Sequence, residues 1–211
     1  MKIVTVLKTG GDFRTEHAVS LRDQCKRFAP GAFFVCLTDD PEALKFPGLN
    51  SRQLRHGWPG WWSKIEAFRL PGPTLYVDLD TVIVGHLQPL LDVAVLKLFT
   101  VLRDFNPGQR VMGSGLMAWS DSVGAIYERF RKKPQTFMDE MKSPRWYGDQ
   151  GFIEATTDAM KTPRTYWQDA APGAVVSFKK HCAAGVPAGA RVVCYHGKPR
   201  PWEAGGRLGT V

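Results

Sequence analysis

Two acids one residue apart, Asp78 and Asp80, follow the apolar run Leu75, Tyr76 and Val77, and the chain turns apolar again from Thr81 through Val84. A buried strand ending in paired carboxylates needs a cation, because the two charges repel and burial disfavours each of them. A divalent metal ion is the simplest source of that charge. Mg²⁺ and Mn²⁺ take carboxylate oxygens and keep positions open for phosphate oxygens, so the pattern predicts a metal holding a diphosphate. Residues two apart in an extended segment share a face, so both carboxylates reach one metal, or one reaches the metal and the other a ribose. The competing expectation is a turn in which one acid caps a helix or solvates a loop.

A second candidate ligand stands far along the chain. His196 follows Val192, Val193, Cys194 and Tyr195, which puts an imidazole at a strand end, where Mn²⁺ accepts it more readily than Mg²⁺. A lone histidine is more often structural, but Gly197, Lys198 and Arg200 follow it, and close backbone approach with cationic charge suits a diphosphate. Lys8, just after the first apolar run, is a candidate contact to a base or phosphate. Gly113, Ser114 and Gly115 either admit a sugar against bare backbone or make a turn. Trp58, Trp61 and Trp62 either stack on sugar faces or fill the core, and core is the commoner use.

These residues must be positioned by a chain of 211 residues, 44% hydrophobic and 23% charged, enough for one well-buried core. The expected organisation is one domain over residues 1–204 and a loose, Gly-rich tail over 205–211. The first apolar stretch is too short for a signal sequence and no run reaches the length of a membrane span, so a soluble, cytoplasmic protein is expected. Cys25, Cys36, Cys182 and Cys194 are scattered and read as reduced core residues. The net charge of +8 attracts polyanions, and peripheral contact with an anionic membrane is compatible with it. Lys and Arg are nevertheless spread along the chain, with brief clusters at residues 129–133 and 198–200, whereas a nucleic-acid binder concentrates them. A solvated basic face is therefore expected, and no nucleic-acid partner.

Strands and helices alternate. A strand at Lys2–Leu7, a helix carrying Ala18, Leu21, Cys25 and Phe28 at helical spacing, and a strand at 32–37 predict a right-handed parallel crossover. A short helix over 61–70 then ends at Pro71-Gly72-Pro73, ahead of the acid-bearing strand. Further strands are expected at 98–103, 116–119, 174–178 and 191–195, and helices at 122–130 and 136–141.

Taken in order, the acids within 76–81, the segment Ser114-Gly115-Leu116-Met117, the pair Asp149-Gln150 and the late His196-Gly197-Lys198-Pro199-Arg200-Pro201-Trp202 resemble a GT-A glycosyltransferase. More narrowly they are similar to the retaining glycogenin and lipopolysaccharide galactosyltransferase family. The resemblance spans the chain from the first strand to Trp202 and implies an α/β, single-domain, Rossmann-like GT-A sheet flanked by helices. It implies Mn²⁺ or Mg²⁺ held by Asp78, Asp80 and His196 under a nucleotide diphosphate, with a UDP-sugar favoured as donor. The acceptor would be a hydroxyl of a saccharide, lipid-linked or protein substrate. Lys64, on Trp61-Trp62-Ser63-Lys64, matches a cation that the family directs at the donor; the alternative is an exposed helix lysine. Asp149 and Gln150 would lie near the transferred sugar, or Asp149 would cap a helix. Lys8, Ser114, Gly115, Gly197 and either Lys198 or Arg200 would complete the donor site.

Three departures stand out: Gly113 where the family has Asn, Gly151 where it has a further Asp, and a C-terminal Arg200-Pro201-Trp202 that arrives two residues early. Two rival functions share the same residues. Asp78-Leu79-Asp80-Thr81-Val82 also fits the nucleophile strand of haloacid-dehalogenase phosphatases. Those enzymes put that strand first and require a late second acid where this chain has Ile153. The other rival is a non-enzymatic basic module for glycans or nucleic acid, in which the acids serve only as caps.

Overall fold

The computed structural model describes residues 1–96, 99–106, 108, 111–120 and 123–204. The expected loose tail at 205–211, and the first residues of the strand expected from 98 and of the helix expected from 122, lie outside them. β1 (Lys2–Leu7), α1 (Thr15–Phe28) and β2 (Phe33–Thr38) make the predicted crossover. Ala18, Leu21 and Cys25 form the buried stripe of α1, which ends at Ala29 ahead of Pro30. α2 (Pro41–Lys45) begins where the Asp40 carboxylate accepts from the Glu42 amide, and it leads into the edge strand β3 (Ser51–Gln53).

The segment Gly60–Arg69 winds as a 3₁₀ helix. Such helices are usually short, and this one is held by its surroundings, since every residue from Trp62 to Phe68 is buried, including Lys64 and Glu66. β4 (Thr74–Val77), β5 (Thr81–Ile83) and α3 (Gln88–Val95) follow, then β6 (Phe99–Arg103) and β7 (Met112–Trp119). Next come α4 (Gly124–Lys132), α5 (Pro134–Glu140), α6 (Gly148–Ala159), β8 (Arg164–Tyr166) and α7 (Trp167–Ala170). β9 (Val175–Ser177), α8 (Phe178–His181), β10 (Val192–Cys194) and a 3₁₀ turn at Pro201–Glu203 complete the described chain.

Seven strands form one sheet in the order β3-β2-β1-β4-β7-β6-β8. All run parallel except β7, which is antiparallel to both neighbours. Both faces are covered, as alternating residues show. Ile3, Leu75, Val77, Leu116 and Ala118 face one apolar layer with α1 and α3, while Val4, Tyr76, Met117 and Trp119 face the other with the 3₁₀ helix, α4 and α6. This is a mixed α/β fold of Rossmann-like, GT-A character, as expected. A second sheet, β5-β10-β9, packs around Val82, Val193 and Tyr195. Among the described residues no helix is long and apolar enough to cross a membrane.

The acidic segment differs from its expected shape. Asp78 does not continue an extended strand to Asp80: the Thr81 amide donates to the Asp78 carbonyl at 3.1 Å, closing a turn, and β5 then joins the other sheet. The two carboxylates are therefore aimed by a turn between two sheets, not by strand alternation. Neither caps a helix.

Candidate active site

β1 pairs with β2 on one side and β4 on the other, so chain order reverses at β1 and a crevice opens beyond the carboxyl ends of β1 and β4. Lys8 leaves β1 there and Asp78 leaves β4. The crevice is the mouth of a cavity of about 920 Å³. Lys8, Lys64, Asp78, Asp80, Ser114, Gly115, Asp149, Gln150, His196, Gly197 and Arg200 all line it. Residues from six separate stretches of sequence thus meet at one place.

Its floor is a buried charge cluster. Lys64 is only 6% exposed, which excludes the exposed-lysine alternative. Its Nζ lies 3.0 Å from Asp78 Oδ2 and 3.1 Å from Asp149 Oδ2, and it donates to Ser114 Oγ at 3.0 Å. Burial alone would lower the pKa of this lysine, but Asp149 and Asp78 outweigh burial and hold it above the ordinary lysine value. The Tyr76 hydroxyl donates to Asp78 Oδ1 at 2.6 Å, and Ser114 Oγ donates to Asp149 Oδ2 at 2.7 Å. Burial nonetheless pushes the Asp78 carboxyl up to about 6, with Asp80 adding to the rise.

The elements explain these positions. Asp149 is not a helix cap: Tyr147 occupies that place, and Asp149 sits in the first turn of α6, where the helix dipole favours its charge. Ser114 and Gly115 lie within β7 rather than before a strand, and a Cβ on Gly115 would stand 3.4 Å from Asp78 Oδ2, so the glycine keeps that carboxylate accessible. Gly151, one of the departures, has a packing reason. A Cβ there would meet the Trp146 backbone at 2.7 Å, and no side chain fits.

Other expectations divide. Trp58 and Trp62 are core residues, each 7% exposed and packed against Phe130, whereas Trp61 is 52% exposed and lines the cavity. Of the two cations after His196, Arg200 faces the cavity and Lys198 pairs outside it with Glu203. Lys8 is engaged by Asp39 beside the crevice. Cys25, Cys36 and Cys194 are buried thiols as expected, but Cys182 is partly exposed. Three contributors escaped the sequence reading. Tyr76 looked like strand filler, Asp12 looked like part of a Gly10-Gly11 turn, and Glu66 is a fully buried acid whose carboxylate accepts from the Arg55 and His56 amides and shapes the loop before the 3₁₀ helix. An acid two residues from a lysine within an apolar helix was the available signal for Glu66.

Two carboxylates and an imidazole suit Mn²⁺ by type. Each is engaged by the protein: Asp78 by Lys64 and Tyr76, Asp80 by Arg200, and His196 Nε2 by the Ser177 hydroxyl at 2.6 Å. Among the described residues no group of three or more His, Cys, Asp or Glu is arranged to hold a metal ion. The donor chemistry fits the ion provided that Asp80 exchanges its guanidinium partner for it.

The fold itself has known counterparts. The galactosyltransferase LgtC, in a structure with donor and acceptor sugar analogues, superposes with a TM-score of 0.63 at 14% identity over 100% of this chain and 97% of its own. An active-site glutamine-to-glutamate mutant of LgtC gives the same TM-score and identity over 97% of this chain and 90% of its own. GlyE of Streptococcus pneumoniae, a glycosyltransferase, has a TM-score of 0.58 at 11% identity over 96% of this chain, which spans 56% of GlyE's length. No protein-family model and no curated protein sequence matches the chain. At such identities the likeness defines the architecture: this chain has the GT-A-like fold of bacterial glycosyltransferases.

Asp78 also gives the site a pH signature. Its folded pKa of about 6 lies above the ordinary 3.8, so the stability tied to its protonated form is complete below pH 4 and is lost as pH rises through 6. In chelator-treated protein, Asp78→Asn is expected to be more stable than the parent at pH 7 by roughly 2 kcal/mol, with the margin closing toward pH 4. Urea midpoints across that range measure it. A margin that does not vary with pH would show that Asp78 titrates alike in both states.

Proposed function

We propose that this protein is a metal-dependent glycosyltransferase that moves a sugar from a nucleotide diphosphate donor, with UDP-sugars favoured, to a hydroxyl acceptor. The observation that carries this reading is the charged lysine buried between two carboxylates on the floor of a 920 Å³ cavity at the strand-order switch, with Arg200 at its rim. A sheet crevice of that kind takes nucleotides, and the volume suits a ligand the size of a nucleotide sugar. The fold shared with sugar transferases supports the same class.

Asp78, Asp80 and His196 are the residues that would hold Mn²⁺ or Mg²⁺. When bound, the ion supplies positive charge to the departing diphosphate. Arg200 adds to that charge from the rim, and Lys64 fixes the carboxylates of Asp78 and Asp149 against their mutual repulsion. Gln150, the first cavity-lining residue after Asp149, is placed to offer its amide to the transferred sugar. Retention of configuration is the stereochemistry favoured. An inverting enzyme needs a free carboxylate to take the acceptor's proton, and Asp149 Oδ2 already accepts from Ser114 and lies against Lys64. Neither rival finds support: Ile153 is fully buried in the core where a phosphatase needs its late acid, and the paired acids cap no helix.

A panel of nucleoside diphosphates and nucleotide sugars, with and without Mn²⁺, tests the reading by thermal shift. A ligand held at a hundred times its dissociation constant stabilises by roughly 2.7 kcal/mol, so a metal-dependent upward shift with at least one donor is expected. No shift with any nucleotide in either condition would defeat the proposal.

A further inference from the structure

Arg200 is held from two sides by acids that belong to different parts of the chain. It donates through Nη1 to Asp80 Oδ2, and through Nε and Nη2 to Asp12 Oδ2 at 3.3 and 3.2 Å. The guanidinium also lies over the Phe13 ring, 4.9 Å from its centroid. Two residues on, Trp202 stacks on His17 at 3.8 Å and meets Phe13 edge-on. Lys198 Nζ stands 3.8 Å from Asp12. The segment from 197 to 203 is thus strapped across the loop between β1 and α1, and its one contact with the acidic turn is made through the carboxylate that a metal would need. The backbone of Asp80 is fixed independently, because the Tyr195 amide donates to its carbonyl. Losing the guanidinium would leave the carboxylate in place.

We propose that Arg200 is a tethered cation for Asp80, which a divalent ion must displace, so that metal uptake unlatches the 197–203 segment and frees its arginine. A carboxylate oxygen already neutralised by a guanidinium is a poor ligand, and the ion and the arginine compete for the same charge. The affinity for the metal is then reduced by the fraction of molecules in which the strap is docked. By linkage, every contact that stabilises the docked strap weakens the metal, including those far from Asp80. Delivery of the freed Arg200 to a diphosphate rests on the transferase reading; the competition at Asp80 does not.

The test is Mn²⁺ affinity, measured by calorimetry without nucleotide, in the parent, Arg200→Gln and Trp202→Ala, with thermal melts confirming that each is folded. Removing the arginine also removes a repelling charge. Trp202→Ala keeps that charge and loosens only the strap, so it separates latch release from simple electrostatics. Both variants are expected to bind Mn²⁺ about tenfold more tightly than a parent whose strap is docked ten to one. Hydrogen exchange over 197–203 should rise in the parent when Mn²⁺ is added. Failure of either variant to tighten, or absence of Mn²⁺ uptake in all three, overturns the latch. UDP binding in the same samples separates the two proposals. UDP binding with unchanged Mn²⁺ affinities removes the latch and leaves the transferase, whereas tightened Mn²⁺ without UDP binding does the reverse.

Discussion

Replacing Lys64 with methionine is expected to cost about 3–5 kcal/mol of stability, the usual penalty for removing one partner from a buried ion cluster. Methionine fills much the same volume, so the loss reports charge and not a cavity. Without the ammonium, the Asp78 and Asp149 carboxylates, which both lie within 3.1 Å of Nζ, face one another in a site that Tyr76 and Ser114 only partly satisfy. Adding Asp149→Asn to Lys64→Met should therefore recover a large part of the loss, even though Asp149→Asn alone is destabilising. Such non-additivity is the mark of groups that act as a unit. Chemical denaturation of the parent, both single variants and the double variant closes the cycle. Additive costs would mean that lysine and aspartate do not sense each other and that the cluster is not held by charge.

Asp80→Ala is expected to lower metal-dependent transfer by roughly a hundredfold or more, the scale on which a missing charge-stabilising group acts, while leaving the fold intact. The structure explains why stability should survive. Asp80 sits in a turn, its carbonyl and not its carboxylate ties the two sheets together, and Arg200 retains Asp12 when the carboxylate is gone. The contrast with Lys64 is instructive: both residues touch the site, but one is an internal strut and the other is a replaceable ligand. Turnover of the best nucleotide sugar, read beside the melting temperature, distinguishes them. Undiminished transfer by a folded Asp80→Ala protein would remove this acid from any metal site.

Much of the architecture was written locally. The apolar stripe of α1, the strands flanking it and the Pro-Gly stops around them are short-range signals, and they led to the parallel crossover that the structure contains. The candidate residues were legible by type as well: an Asp-x-Asp after an apolar strand, a histidine after another, and basic residues beside it. Eleven of those residues line one cavity, because strand ends on one edge of a sheet gather whatever follows them.

Partnership was decided by the tertiary structure alone. Whether Lys64 was a surface lysine or a buried one depended on a 3₁₀ helix enclosed on nearly every side, and helical periodicity does not encode that enclosure. The shape of the acidic pair depended on a turn that hands the chain from one sheet to another, which the uninterrupted apolar pattern concealed. Arg200 found Asp80 and Asp12 across more than a hundred residues of sequence, a pairing set by where the last segment crosses the first loop. The sequence by itself determined which charges this protein owns and roughly which strand ends carry them. Only the folded structure decided which charge neutralises which, because electrostatic partners are chosen by distance and burial and not by order along the chain.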